Sequence, residues 1–370
     1  MRFKKYNIKW DKKLLSDFAK KITKKNSNNV IKNVICNSAQ NGLIPQLDFF
    51  DKEIANNENT AGYYIINNGD FVYNPRKSLS APYGPVNIYK YDKAGIVSPL
   101  YLCFSVEGID KKYLLQRFKS NCWHRYIYLN GDSGARHDRV SIKDDVFLSQ
   151  PIYVPSMAEQ ADIANFLEII DKRINVQNKI ISKYESLIKG IEDSVLSVFE
   201  SVEYQLGDLV QIVKGQQING LQLESTGDYY YLNGGISPSG YVNKYNAEEN
   251  TISISEGGNS CGFVRFNTEK FWSGGHCYTL KIKNAFCCVK YLFYYLKSNE
   301  KDIMQLRVGS GLPNIQKGSL AGFPVKLPRL QMQQSIVRVL DALTNKKEIE
   351  IALLKQLQSQ KTYLLSKMFI

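Results

Sequence analysis

Two sets of side chains in this sequence could do chemistry. The first is nucleophilic or ionisable: the cysteines Cys36, Cys103, Cys122, Cys261, Cys277, Cys287 and Cys288, and the histidines His124, His137 and His276. The cysteines are odd in number and show no C-x-x-C spacing, so reduced thiols are expected and no disulfide scaffold or metal site. No nucleophile-elbow sequence surrounds the histidines. There is no GxxxxGK[ST], and "EGGNSCG" (256–262) departs from the GxGxxG order. "YNPRK" (73–77) has Asn-Pro without the second proline and aromatic of an adenine-methylase motif, and no Pro-Asp is followed by a D/E-x-K nuclease pattern. The second set is Arg, Lys, Asn and Gln on turn-rich segments such as "YNPRKSLSAPYG" (73–84) and "VKGQQING" (213–220). Guanidinium and amide groups make paired hydrogen bonds to base edges, so their chemistry is recognition.

Charge agrees with that emphasis. The net charge of +13 is uneven: residues 1–154 hold 24 Lys/Arg against 14 Asp/Glu, whereas residues 200–327 hold 12 against 11. A basic first segment fits a polyanionic partner, nucleic acid before membrane. The chain is 44% hydrophobic with 24 Tyr and 17 Phe, enough for two or three packed domains. No run of eighteen apolar residues predicts a membrane span, and "MRFKKYNIKWDKK" has no apolar core of a secretory signal, so a cytoplasmic protein is expected.

The elements that would carry these loops are written twice. "VPSMAEQADIANFLEII" (154–170) matches "LPRLQMQQSIVRVLDAL" (327–343) at a constant offset of 173: Pro155 with Pro328, Gln160 with Gln333, Ile163 with Ile336, Leu167 with Leu340. From each proline an apolar seam runs with 4,3 spacing. The first holds Ile163, Leu167, Ile170, Ile174, Gln177, Ile181, Tyr184, Ile188, Ile191 and Val195. The second holds Ile336, Leu340, Leu343, Lys347, Glu350, Leu354, Leu357, Lys361, Leu364 and Met368. Such seams predict two long helices that pack on each other, antiparallel because the intervening segment must leave one and enter the other at one end.

The segments before the helices also correspond. "LSDF" (15–18) parallels "LGDL" (206–209), and "KYLLQRFKS" (112–120) parallels "KYLFYYLKS" (290–298). Gly-Ser loops follow ("GDSGARHDRVSIKDD", 131–145, and "GSGLPNIQKGSL", 309–320), then the apolar runs "QPIYVP" (150–155) and "FPVKLP" (323–328). The middles, 63–91 and 229–266, do not align and read as short strands with turns. The unit is therefore domain–helix, domain–helix: 1–154, 155–199, 200–327 and 328–370.

Over its whole length the chain resembles the specificity (S) subunits of type I restriction-modification systems. The most specific carrier is the Gly-Ser loop, apolar strand, proline and "xxxEQxxI" at 156–163, with Glu159 and Gln160; the second copy has Met332 for the glutamate. The resemblance implies an α+β fold of two target-recognition domains, each a mixed β-sheet with helices, separated by an antiparallel coiled coil in a pseudo-two-fold repeat. It implies a non-catalytic subunit that reads a bipartite double-stranded DNA site, one half per domain, and docks two methyltransferase (M) subunits, with restriction (R) subunits added. S-adenosylmethionine, ATP and Mg would belong to those partners, with no cofactor on this chain.

Within that reading the first domain offers Asn74, Arg76, Lys77, Ser80 and Tyr83 on one loop, and Arg136, His137 and Arg139 on another. The second offers Lys214, Gln216, Gln217 and Asn219, and further along Asn233, Asn259, Arg265, Arg307, Asn314 and Lys317. The isolated chain is expected to bind DNA weakly and in a salt-sensitive way, since the second domain is nearly neutral. Other readings are the recognition subunit of a type IIG or IIB-like system, a self-sufficient nuclease or methyltransferase (for which no motif is present), and a coiled-coil scaffold that binds no DNA.

Overall fold

The computed structural model describes residues 2–46, 60–133, 138–198, 200–309 and 311–369. It divides into two compact units, Met1–Gln177 with Leu353–Ile370, and Asn178–Ala352.

Each unit is built on a four-stranded antiparallel sheet with the same connectivity. In the first the order is Ala19–Lys21, Leu102–Val106, Phe71–Tyr73, Val86–Ile88; in the second it is Val210–Lys214, Cys277–Ile282, Thr251–Ser255, Val264–Asn267. A two-stranded ribbon ties the start of each unit to its end: Asp11–Leu14 pairs with Pro151–Val154, and Val202–Gln205 with Pro324–Leu327. A short helical turn follows each ribbon, Leu15–Asp17 and Leu206–Leu209, and the Asp17 and Asp208 carboxylates accept from the backbone N–H of Leu14 and Gln205.

The middles differ. The first unit adds the hairpin Ile35–Ser38/Gly42–Pro45 and the pair Tyr64–Ile66/Gly95–Val97. The second sets Tyr229–Leu232 between Gly240–Val242 and Trp272–Ser273. The cores differ too. Phe71, Phe104, Phe118, Trp123 and Phe147 pack ring against ring in the first, while Ile252, Ile254, Leu280, Leu292 and Val325 fill the second. Within the first "Gly-Ser loop", Asp132–Ser133 pairs with Val140–Ser141 as short strands.

The amphipathic runs are helices, Lys111–Lys119 and Val289–Ser298, each packed against one of the long helices. The same contacts recur in both units. Lys112 Nζ meets Glu168 at 2.8 Å, and Lys290 Nζ meets Asp341 at 2.7 Å. The hydroxyl of Tyr113 donates to the Tyr153 carbonyl at 2.8 Å, and that of Tyr291 to Lys326 at 3.1 Å. The buried Gln160 accepts from the N–H of Asp110, just before the first helix, at 2.8 Å and donates to the Pro155 carbonyl at 2.9 Å. Gln333 does the same with Cys288 N–H (2.8 Å) and the Pro328 carbonyl (2.9 Å).

Glu159 has another partner. Buried to 1% exposure, it takes two hydrogen bonds of 2.6 Å from the Arg2 guanidinium, and Asp162 is met by Lys5 (2.5 Å) and the Tyr6 hydroxyl (2.6 Å). The basic opening segment thus clamps the first helix entrance. Met332 instead packs apolar surface against its own core.

The long helices run Met157–Val198 and Leu330–Met368, the first starting six residues before the seam and reaching about 63 Å at 1.5 Å per residue. The nine seam positions Ile163 to Ile191 and all ten from Ile336 to Met368 are at least partly buried. In the first unit Ile163 and Leu167 share a core with Leu364 and Met368, and Lys361 pairs with Asp171. In the second, Ile188 and Ile191 pack with Ile336 and Leu340. Late residues of one helix meet early residues of the other, so the pair is antiparallel. Ile170, Ile174, Ile181, Tyr184, Leu343 and Leu354 are half-buried along the same stripes, and Leu357 is buried.

Asp171 titrates under opposing influences. Burial pushes its carboxyl up, but Lys119, Lys361 and Gln116 together hold it below the usual carboxylate range. Burial and then Lys119 push Lys361 down, against the pull of Asp171.

Two predictions follow from these contacts. Replacing Gln160 or Gln333 with Leu leaves buried backbone groups unpaired and should cost about 1–3 kcal/mol each in urea unfolding. A loss within error at both sites would refute the junction role. For Asp171, a folded pKa below the unfolded value contributes stability that is full above about pH 4 and is lost as pH falls through the folded value. The unfolding midpoint of the parent protein should therefore drop toward that of Asp171→Asn on acidification, the two curves converging; parallel curves would contradict the assignment.

Candidate nucleic-acid interface

The first candidate loop leaves the sheet at Tyr73 and returns at Val86. Gly84 sits at φ +84°, and a Cβ there would collide with the Asn74 carbonyl oxygen, so only glycine closes the loop without strain. The Asn74 amide donates to the Asn37 carbonyl (3.2 Å) and its side-chain oxygen accepts from Arg76 N–H (3.0 Å). Asn37 is itself buried, donating to Val72 and accepting from Asn87. The Tyr73 hydroxyl holds the Tyr83 carbonyl at 2.9 Å. Asn74 is thus occupied inside the protein, whereas Arg76 is exposed and Ser80, also exposed, meets Ser78. The Tyr83 ring lies 4.8 Å from His124, whose imidazole burial pushes down in pKa.

Two segments separated by more than fifty residues are brought together here. Lys77 N–H donates to Asp138 O (2.8 Å) and Val140 N–H to Pro75 O (2.9 Å), placing Arg76 opposite Arg139. Both arginines are exposed. Arg136 and His137 lie outside the described residues.

The second domain gathers its candidates around a residue that sequence reasoning missed, Glu256. Its Oε1 accepts from Lys214 Nζ at 2.7 Å and from the Tyr278 hydroxyl at 2.9 Å. Its Oε2 is buried with no hydrogen-bond partner among the described residues and faces His276 Nδ1 at 3.9 Å. Gly257 is bridged to the exposed Asn314, and the exposed Asn259 follows on the same turn. Asn233 accepts from His276 N–H at 3.1 Å. Gln217 borders Gly275, and the Gln216 carbonyl accepts from the Trp272 indole at 2.7 Å, both glutamine side chains being exposed. No sequence signal marks Glu256, because Lys214, His276 and Tyr278 all lie far from it in the chain.

The remaining candidates stand apart from that cluster. Asn219 accepts from Leu221 N–H at the start of a short turn. Arg265 lies over the Tyr230 ring at 5.2 Å and reaches the Ile236 carbonyl at 3.4 Å. Arg307 is exposed after the helix Glu300–Gln305, and Lys317 is exposed at the start of Lys317–Ala321. Among the described residues no cluster of His, Cys, Asp or Glu has a metal-binding arrangement, and no helix is long and apolar enough to cross a membrane.

The family model for the type I restriction modification DNA specificity domain matches residues 7–186 and again 200–359, one match over each copy of the doubled scaffold. The chain belongs to this specificity family. It is similar to a type I specificity subunit of Mycoplasma pneumoniae, with 36% identity over 137 residues that are 36% of each chain. A Mycoplasma genitalium counterpart is 34% identical over 116 residues, 31% of this chain and 30% of that one. These matches span about a third of the curated relatives. Likeness in fold is broader. A crystal structure of a type I S subunit from M. genitalium superposes with TM-score 0.67 at 19% identity, covering 98% of this chain and 97% of that one. A chain from a type I restriction-modification complex gives 0.61 at 15%, covering 96% of each.

The glycine at the close of the first candidate loop yields a test. Gly84→Ala should destabilise the protein by about 1–3 kcal/mol through the strained φ alone, with the collision adding to it, as read by denaturant unfolding. An unchanged midpoint would show that the loop does not depend on this approach.

Proposed function

We propose that the chain is the DNA-recognition subunit of a type I restriction-modification complex and carries no catalytic site of its own. The observation that carries this is the family match to both halves of the chain, joined to one structural frame that appears twice with dissimilar middles. Each domain reads one half of a bipartite double-stranded site. The helical pair sets the distance between the halves and docks two M subunits, to which R subunits are added. S-adenosylmethionine is the methyl donor on M, and ATP with Mg serves R. The complex works in the cytoplasm. A scaffold that binds no DNA leaves unexplained why Arg76 and Arg139 are held opposite each other.

The deciding experiment exchanges residues 63–91 for the matching segment of another family member, co-expresses the chimera with its M partner, and maps methylated adenines by sequencing. One half of the motif should change and the other stay. Change in both halves, or in neither, would overturn the division of reading between domains.

A further inference from the structure

The two domains carry the same backbone platform at corresponding places. Sheet register fixes the correspondence: Tyr73 lies opposite Leu102 in the first sheet, and Ile254 opposite Tyr278 in the second. Three residues after each stands a bridged position, Arg76 with Arg139 and Gly257 with Asn314. The flanking bonds repeat as well. Val140 N–H to Pro75 O (2.9 Å) matches Ile315 N–H to Glu256 O (2.8 Å), and Lys77 N–H to Asp138 O (2.8 Å) matches Gly258 N–H to Pro313 O (3.0 Å). These bonds are backbone to backbone, so they survive a change of side chain other than to proline. What differs is what the platform displays.

In the first domain it displays two arginines. Like charges directly opposite on paired strands repel, and among the described residues neither guanidinium has an ion-pair partner. Both are exposed. Such a pair suits an electron-rich acceptor between or beside the guanidinium groups, and guanine offers one through O6 and N7. In the second domain the platform displays Gly257 and the exposed Asn314. An amide matches adenine, whose N6 and N7 offer one donor and one acceptor.

Building on the proposed DNA-recognition role, we infer that this platform is the base-reading site of each domain, with Arg76 and Arg139 reading guanine in one half-site and Asn314 reading adenine in the other. Arg76, Arg139 and Asn314 are then specificity-determining residues, and equivalent positions exchange preference by side chain alone.

The test uses the full-length chain co-expressed with its M partner and reads the methylated motif by sequencing. Arg76→Ala or Arg139→Ala should relax a guanine position in one half-site, discrimination falling on the order of 10- to 100-fold, and Asn314→Ala should relax an adenine position in the other. Arg76→Lys and Arg139→Lys keep the charge and the fold but lose the paired geometry, and they should relax the same guanine. The reciprocal graft, Gly257→Arg with Asn314→Arg, is sterically open. Gly257 is outside the left-handed region, and the nearest atom to a built Cβ is the Pro313 oxygen at 3.6 Å. The graft should introduce guanine in the second half-site and leave the first unchanged. If the arginine variants lower methylation equally at every sequence, the residues are phosphate contacts and the inference fails. It fails also if the motif is unaltered in all variants. A parent complex that methylates no bipartite motif would overturn the recognition role itself, a result distinct from either.

Discussion

Much of this structure depends on one buried amide. Gln160 links the backbone N–H in front of the domain helix to the carbonyl of the proline that opens the long helix, and Gln333 repeats the link. Glutamine is the side chain for this task because a single planar group both accepts and donates at the ends of a flexible stem. A buried, doubly bonded amide leaves little freedom of angle between domain and helix. The ion pairs Lys112–Glu168 and Lys290–Asp341, partly exposed, add register more than energy.

Around that fixed joint the two copies have diverged. The first helix entrance has Glu159, and the opening segment supplies Arg2 to meet it. The second has Met332, which needs no partner and lies on apolar surface. A buried carboxylate is tolerable only where a cation is available, so the residue at this position follows from whether a basic segment covers it. The polar seam residues follow the same logic. Lys361 is acceptable in the seam because Asp171 stands across from it. Polar residues within a seam also favour one register over its neighbours.

The sequence made the frame legible because the frame is periodic and repeated. The 4,3 seams, the prolines and Gln160/Gln333 carry their meaning in spacing, so both long helices and the amphipathic helices are legible there, whereas the partners of the apolar runs at 150–155 and 323–328, Asp11–Leu14 and Val202–Gln205, are not. The proposed reading surface is legible in the sequence only as a set of loops. Arg76 and Arg139 are far apart in the chain, and nothing in their spacing announces that backbone bonds set them opposite each other. Asn74 has the right chemistry for reading a base, yet its amide is occupied by Asn37 and Arg76. Glu256 gives no sign of its role in the sequence, since Lys214 and Tyr278 reach it from distant strands, and burial leaves its other oxygen without a hydrogen bond among the described residues. In each case the deciding fact is a long-range contact.

In the proposed role, charge and geometry divide the work of recognition. The first segment, with its excess of Lys and Arg, can draw a polyanion by long-range attraction, while residues 200–327 have nearly balanced charge. Attraction of that kind is blind to sequence and is screened by salt. Discrimination needs side chains held at fixed places, and a loop fixes side chains only if its own backbone is satisfied without them. The repeated bonds at Pro75, Lys77, Glu256 and Gly258 meet that condition. Because they spend backbone groups and not side chains, the residues they present are free to vary. Under the proposed role, the bonds shared by the two copies lie in the backbone, and the chemistry that differs between them stands on top.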